Sequence, residues 1–456
     1  MISVELPNRA RRNGRPGLPP AVLLVGYLII ILVPLALAAA YEPRGRFLYR
    51  ELAAGLALVG FAILFMQFVL SGRFEMIAGR LGIDLLMRFH QLLARTAAVF
   101  LVLHAVLYLV PLIGTERRTG RGRLLGTVAM PELAAGVVAL VLLLLLVFLA
   151  IRRRRLPIRY EAWRALHGLF GAAVVILGTY HALGLGRYSQ HAPLAALWIS
   201  LLVVALGSIL YVYLVKPLLL LRRPYRVASN RPVGTGLWEV TVEPDGAHRL
   251  SFAAGQFAWV NFRRYPLSLL DHPFSIASAP EQLPRMAFLI KESGDFTNHI
   301  GALAPGHPAY LDAPHGAFTL FGREGEGIAL IAGGVGIAPI LSLLRHLRAT
   351  HDPRPVRLLY GAGRREQLVY TNEIERIQGD IDLKAEFVLA EPPPGWEGRS
   401  GTLNTEIVQT WVDFEYPERW LFFLCGPPLM MEAVEDTLHS LGVPLRHIVY
   451  ERFTFD

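Results

Sequence analysis

Four histidines constrain this chain more than any other feature: His90 and His104 in one apolar run, His167 and His181 in another. The members of each pair are fourteen residues apart. On a helix that is almost four full turns, so both fall on one face, roughly 21 Å apart along the axis. The runs carrying them are long and nearly uncharged. A bilayer's hydrocarbon core, about 30 Å thick, has room for two sites at different depths. One further apolar run lies between them, so the two histidine-bearing helices cross in the same direction. His90 is then level with His167, and His104 with His181. Ionisable groups at such depth are costly and mark function. The plain alternative is four histidines hydrogen-bonded between helices. The repeated spacing favours metal ligation, because four inward-facing imidazoles at two depths are what two stacked bis-histidine haems require.

Composition fits a membrane class. Of 456 residues, 53% are hydrophobic, too many for an ordinary soluble protein of this length. The single cysteine, Cys425, excludes an intrachain disulfide and a cysteine-ligated cluster. The net charge of +9 would suit nucleic acid, but no basic patch with interleaved aromatics is present. Arginines flanking membrane spans account for the charge instead, and no nucleic-acid partner is expected.

Six spans are legible, at about 21–40, 52–71, 85–112, 130–151, 162–185 and 193–220. Residues 1–20 form an N-terminal segment with Arg9, Arg11, Arg12 and Arg15, and the first span lacks a cleavage site, so it reads as a retained anchor. Those arginines fall on one side with Arg73, Arg80, Arg88, Arg152 to Arg155, Arg159, Lys216, Arg222, Arg223 and Arg226. The positive-inside rule makes that side cytoplasmic, with both termini there, in a bacterial inner membrane. The opposing loop carries Arg117, Arg118, Arg121 and Arg123, against this trend. The membrane bundle is thus expected over 21–221. Over 222–323 short alternating runs such as Leu237 to Val242 and Met286 to Ile290 predict an antiparallel barrel. Over 324–456 strands alternate with helices: Ile328 to Ala332, Ile337 to Thr350, Val356 to Gly361. That is an α/β, Rossmann-like, nucleotide-binding pattern. The fold class is therefore multi-domain: a six-helix bundle, a β-barrel and an α/β domain.

The strand Ile328 to Ala332 enters Gly333-Gly334-Val335-Gly336, followed by a helix containing Pro339. Glycines let the backbone approach a pyrophosphate, and the helix N-terminus supplies free N–H donors. Alone this is a common turn. Four further motifs accompany it. His272-Pro273-Phe274-Ser275-Ile276-Ala277-Ser278 resembles the flavin-binding signature of the ferredoxin–NADP reductase superfamily, and within it the membrane branch of ferric reductases and NADPH oxidases. Gly294-Asp295-Phe296-Thr297 is similar to that branch's next segment. Asp312-Ala313-Pro314-His315-Gly316 resembles its D-G-P-[FY]-G loop, with Ala313 departing from glycine. Cys425-Gly426-Pro427-Pro428 with Met430 resembles its C-G-P element. The order is also the family's.

The resemblance implies FAD held by His272, Pro273, Phe274, Ser275, Ile276, Ser278, Gly294, Phe296 and Thr297. It implies NAD(P)H held by Gly333, Gly334, Val335, Gly336, Pro339, Cys425, Gly426 and Pro427. Cys425 would lie near the nicotinamide without acting as a nucleophile, and Phe453, or Phe455, would cover the flavin. Arg364 and Arg365 follow the strand Leu358 to Gly361, where an arginine fork can pair with a 2′-phosphate, favouring NADPH over NADH. The expected activity is electron transfer from cytoplasmic NADPH through FAD and two b-type haems to an acceptor outside. His90 and His167 would hold the inner iron, His104 and His181 the outer. Oxygen, giving superoxide, and a ferric chelate stand nearly level as acceptors. A third reading is a haem and flavin relay feeding a periplasmic protein partner, which the first two do not require.

Overall fold

The computed structural model describes residues 17–41, 47–71, 73–114, 130–266 and 269–451. The N-terminal arginines, the basic segment from Arg117 to Arg123, Phe453 and Phe455 lie outside the described residues.

Helices α1 (Pro20–Tyr41), α2 (Leu48–Val69), α3 (Glu75–Leu81), α4 (Ile83–Gly114), α5 (Pro131–Ile151), α6 (Tyr160–Leu185) and α7 (Ala192–Leu210) come first. A π-turn over Tyr211–Val215 then leads into α8 (Lys216–Leu220). Among the described residues six helices are long and apolar enough to cross a membrane: α1, α2, α4, α5, α6, and α7 continuing through α8. A helix suits this role because all its backbone groups bond within the segment. Leu24, Val25 and Ile29 on α1 and Val137, Val138 and Val141 on α5 are exposed apolar side chains of the kind a lipid surface covers. Inside, small residues bring backbones together. Ala135, Ala139 and Leu143 recur every four residues along the buried face of α5. A methyl group on Gly178 of α6 would strike the Phe61 ring at 2.7 Å.

The chain forms two compact units, Gly17–Ile77 with Leu85–Pro217, and Ala78–Asp84 with the chain from Leu218 onward. In the second, β1 (Tyr225–Gly234), β2 (Leu237–Pro244), β3 (Phe257–Asn261), β4 (His272–Ser275), β5 (Met286–Lys291) and β6 (Pro308–His315) make an antiparallel sheet, ordered β4-β3-β6-β1-β2-β5. A bridge between Ile276 and Phe288 joins its two ends into a barrel. Alternate residues point inward, and Val227, Val240, Val242, Ile276, Phe288, Ile290 and Leu311 fill the interior.

A parallel sheet follows: β7 (Ile328–Gly333), β8 (Val356–Ala362), β9 (Leu383–Leu389), β10 (Arg399–Ser400), β11 (Leu421–Cys425) and β12 (Ile448–Tyr450), ordered β10-β9-β8-β7-β11-β12. Helices α9 (Ile337–Thr350), α10 (Thr371–Gln378), α11 (Thr405–Trp411) and α12 (Pro428–Ser440) connect the strands. Apolar clusters cover both sheet faces. That is why every residue of β7 is buried and the strand reads as an unbroken apolar run. Strand order reverses between β7 and β11. In open α/β sheets a ligand crevice forms at that point, outside the carboxyl ends of the two strands.

Candidate functional site

The reversal point brings together two of the sequence motifs, ninety residues apart. Gly333 to Gly336 leave the end of β7, and Cys425 to Pro428 leave the end of β11, paired beside it with Cys425 opposite Ala332. Packing explains the glycines. A methyl on Gly333 would lie 2.5 Å from Met430 Sδ and 2.7 Å from Pro427 Cδ, and one on Gly336 would lie 2.1 Å from the Cys425 carbonyl oxygen. A methyl on Gly426 would lie 2.6 Å from Met430 Cε. Gly334 differs: its φ is +55°, which favours glycine, and nothing lies within 4 Å of where its Cβ would be. Open space over an uncovered turn at a helix start is what a pyrophosphate needs. Cys425 is buried, and burial pushes its thiol up, away from nucleophilic use. Val335 is half-buried at the turn, and Pro339 packs into the core from the first turn of α9.

Arg364 and Arg365 follow β8. Arg364 Nε already lies 2.8 Å from Glu391 Oε2, with both side chains about two-thirds exposed. Arg365 sits over the Trp396 ring at 5.9 Å.

The flavin motif occupies β4, the last strand of its sheet, which pairs with β3 along one side. His272, Pro273 and Phe274 are half-buried, while Ser275 to Ala279 are buried. A flavin ring requires a cradle of hydrogen-bonding groups, of the kind that strand backbone can supply. Phe296, 24 residues onward, stacks on His272 at 4.4 Å with rings 11° apart. Thr297 Oγ1 accepts the Ser293 N–H at 2.9 Å and closes the turn that contains Gly294, over which a methyl group would meet nothing within 4 Å. The side chains of Ile276 and Ser278 are turned to protein partners: Ile276 fills the barrel, and Ser278 Oγ accepts the Ala287 N–H at 3.1 Å.

Strand register sets Ser275, Phe257 and His315 in a lateral row across β4, β3 and β6. His315 Nε2 lies 3.0 Å from Asp312 Oδ1, and its ring stacks on Phe257 at 5.6 Å. Beside Phe257, a methyl on Gly316 would strike Glu451 Oε1 at 2.5 Å. Glu451 is buried, and its Oε2 has no hydrogen-bond partner among the described residues. Burial pushes its carboxyl well above the usual carboxylate range.

In the membrane unit the four histidines pair as their spacing predicts. The ring centroids of His90 and His167 are 6.2 Å apart, and those of His104 and His181 are 6.4 Å apart. His104 Nδ1 lies 3.0 Å from the Ala53 carbonyl oxygen and His181 Nδ1 lies 3.0 Å from that of Glu132. A carbonyl only accepts, so each Nδ1 carries the proton and each Nε2 is left as a lone-pair donor. Gly136 makes room for this on α5, since a methyl there would lie 2.5 Å from His181 Nδ1.

Three family models match the chain: a ferric reductase like transmembrane component over residues 56–178, an FAD-binding domain over 233–305 and an oxidoreductase NAD-binding domain over 330–436. A ferredoxin–NADP reductase B of Sorangium cellulosum is 28% identical over 237 residues, covering 50% of this chain and 96% of that protein. The reductase component of a propane 2-monooxygenase from Mycolicibacterium smegmatis is 30% identical over 235 residues, covering 50% of this chain and 67% of that protein. Among solved structures, a ferredoxin reductase of carbazole 1,9a-dioxygenase aligns with a TM-score of 0.45 at 23% identity, over 51% of this chain and 69% of its own.

The barrel, the parallel sheet and the membrane-spanning helices together define a transmembrane NAD(P)H-dependent flavin oxidoreductase. The chain joins a ferric reductase like transmembrane component to an FAD-binding and an NAD-binding domain, the arrangement of membrane ferric reductases with a ferredoxin–NADP reductase-like module at the C-terminal side.

Proposed function

We propose that the chain carries electrons from cytoplasmic NADPH, through FAD and two b-type haems, to oxygen on the other side of the membrane, producing superoxide. The observation that supports it most is the geometry of the histidine pairs. The 6.2 and 6.4 Å between ring centroids leave the space that a metal ion held by both imidazoles would need. Bound between them, haem supplies reversible one-electron chemistry at the iron. His90 with His167, and His104 with His181, would hold the two haems. The carbonyls of Ala53 and Glu132 fix the outer imidazoles in the tautomer that ligates. With two imidazoles given to each iron, the acceptor would take its electron without binding the metal.

On the cytoplasmic side, the backbone around Gly334 would receive the nucleotide pyrophosphate, and β4 with the His272–Phe296 stack would hold FAD. Bound there, flavin would supply the exchange between hydride and single-electron chemistry. Arg364, just after β8, would meet a 2′-phosphate. We assign the cytoplasmic side to the charged ends at Arg73, Arg152 and Arg222, hence to both termini, in a bacterial inner membrane. The unit boundaries we assign are 1–20, 21–221, 222–323 and 324–456.

A ferric chelate is the second reading, supported by the matching membrane component; delivery to a periplasmic protein is the third. The test uses detergent-purified, FAD-supplemented protein. Anaerobic NADPH should reduce the haem bands, and oxygen should reoxidise them with dismutase-sensitive dye reduction. Reduced haems that oxygen leaves unchanged transfer the assignment to a chelate or protein acceptor. His104→Ala and His181→Ala should each remove about half of the haem absorbance. An unchanged spectrum and rate in both variants defeats the proposal.

A further inference from the structure

Helix α9 starts at the candidate nucleotide loop, and one of its faces is bonded to the segment that follows the candidate flavin strand. Ser342 Oγ donates to the Ser278 carbonyl at 2.7 Å and accepts the Gly255 N–H at 3.1 Å. Arg345 Nη1 donates to the Ala277 carbonyl at 2.9 Å, while its Nε and Nη2 form a fork on Glu373 at 2.6 and 2.8 Å. His346 Nδ1 lies 2.8 Å from Glu281 Oε1. Positions 342, 345 and 346 share one helix face. The barrel grips the same short segment from the other side: the Ala277 N–H donates to the Ala287 carbonyl at 2.7 Å, and Ser278 Oγ accepts the Ala287 N–H. Residues 277 and 278 are therefore held by the barrel through an N–H and a hydroxyl, and by α9 through both carbonyls.

A second tie runs parallel. Tyr370, just before α10, donates to Glu239 Oε2 of β2 at 2.6 Å, and Arg231 of β1 closes on Glu239 at 2.7 Å. The Arg345 guanidinium lies 5.5 Å from the Tyr370 ring centre, which joins the two ties. Ser342 and Glu239 are buried, and Arg345 is nearly so. A buried polar group that loses its partner is costly, so such a network holds one arrangement.

We propose that Ser342 and Arg345 are positioning residues for hydride transfer. They clamp the flavin strand and the nucleotide loop into one body, so that the two rings meet at reacting distance without a domain rearrangement. This rests on the proposed NADPH-to-FAD step. A misplacement of about 1 Å costs such a reaction on the order of a hundredfold, whereas affinity for the nucleotide, set at the glycine turn, is nearly untouched.

The test compares full-length wild type with Arg345→Met/Ser342→Ala, with Arg345→Lys as the conservative variant. Anaerobic stopped-flow should show the flavin–nicotinamide charge-transfer band weakened and the hydride-transfer rate down by tenfold or more in the double variant. NADPH affinity should stay within about twofold, and Arg345→Lys should recover part of the rate. Hydrogen exchange on flavin-free protein should accelerate at the amides of Ala277 and Ala287, while β11 stays protected. A wild-type rate and band in the double variant would overturn the inference. So would faster exchange through both sheets with an unchanged rate, the mark of a merely structural role. If wild type itself shows no flavin reduction by NADPH or NADH, the functional proposal fails, and the local exchange pattern alone decides whether the clamp exists.

Discussion

At the scale of single residues, chemistry here depends on who holds each side chain. Arg364 is shared between the coenzyme it would read and Glu391. The ion pair itself is exposed and adds little stability, so its effect is on selectivity. Glu391→Gln should lower KM for NADPH several-fold and leave KM for NADH unchanged; equal shifts for both would show that Arg364 does not meet the 2′-phosphate. Glu451 makes a pH prediction. Its folded pKa is raised, so its stabilising contribution is complete below the ordinary carboxylate range near pH 4.3 and is lost as pH rises through the folded value. Apparent melting temperature should therefore fall as pH rises above the ordinary carboxylate range, and Glu451→Gln should flatten that slope. An equal slope in both proteins would place the titration elsewhere. The motif residues were legible because each motif is contiguous: His272 to Ser278, Gly333 to Gly336, Cys425 to Pro428. Their partners were not. Tyr370 and Glu239 are 131 residues apart, and Arg345 and Glu373 are 28 apart, with no periodicity linking them. Even the Asp312–His315 pair, three residues apart, needs the bulged register of β3 and β6 to close.

At the scale of elements, glycine decides how closely two backbones approach. Gly336→Ala would drive a methyl into the Cys425 carbonyl, and no flexible side chain is there to yield. It should abolish NADPH-dependent reduction while dithionite still reduces the haems in full; retained NADPH turnover would mean the loop is not the nucleotide site. Gly136→Ala presses on the His181 imidazole instead. It should broaden or shift the bands of one haem, and a spectrum identical to wild type would count against ligation by His181. The elements themselves were readable in advance. Expected spans and strands fall within a few residues of those observed, because uncharged length and alternation are local properties. Helix α3 was not anticipated: seven residues bearing Glu75 and Arg80 are too short and polar to give a periodic signal.

At the scale of the whole molecule, the fourteen-residue spacing on α4 and on α6 becomes an electrical distance. On the proposed route each electron moves outward across roughly 21 Å of a hydrocarbon layer about 30 Å thick, so about two-thirds of the membrane voltage acts on that one transfer. At about 2.3 kcal/mol per charge per 100 mV, an inside-negative potential of that size favours the step by about 1.5 kcal/mol. The same transfer depolarises the membrane unless cations follow. In proteoliposomes, turnover should rise with an inside-negative potential wherever this step limits the rate, and should slow as unrelieved charge accumulates. The chain is in this sense a current source, whose output is set by the bilayer's capacitance and by whatever carries the compensating charge.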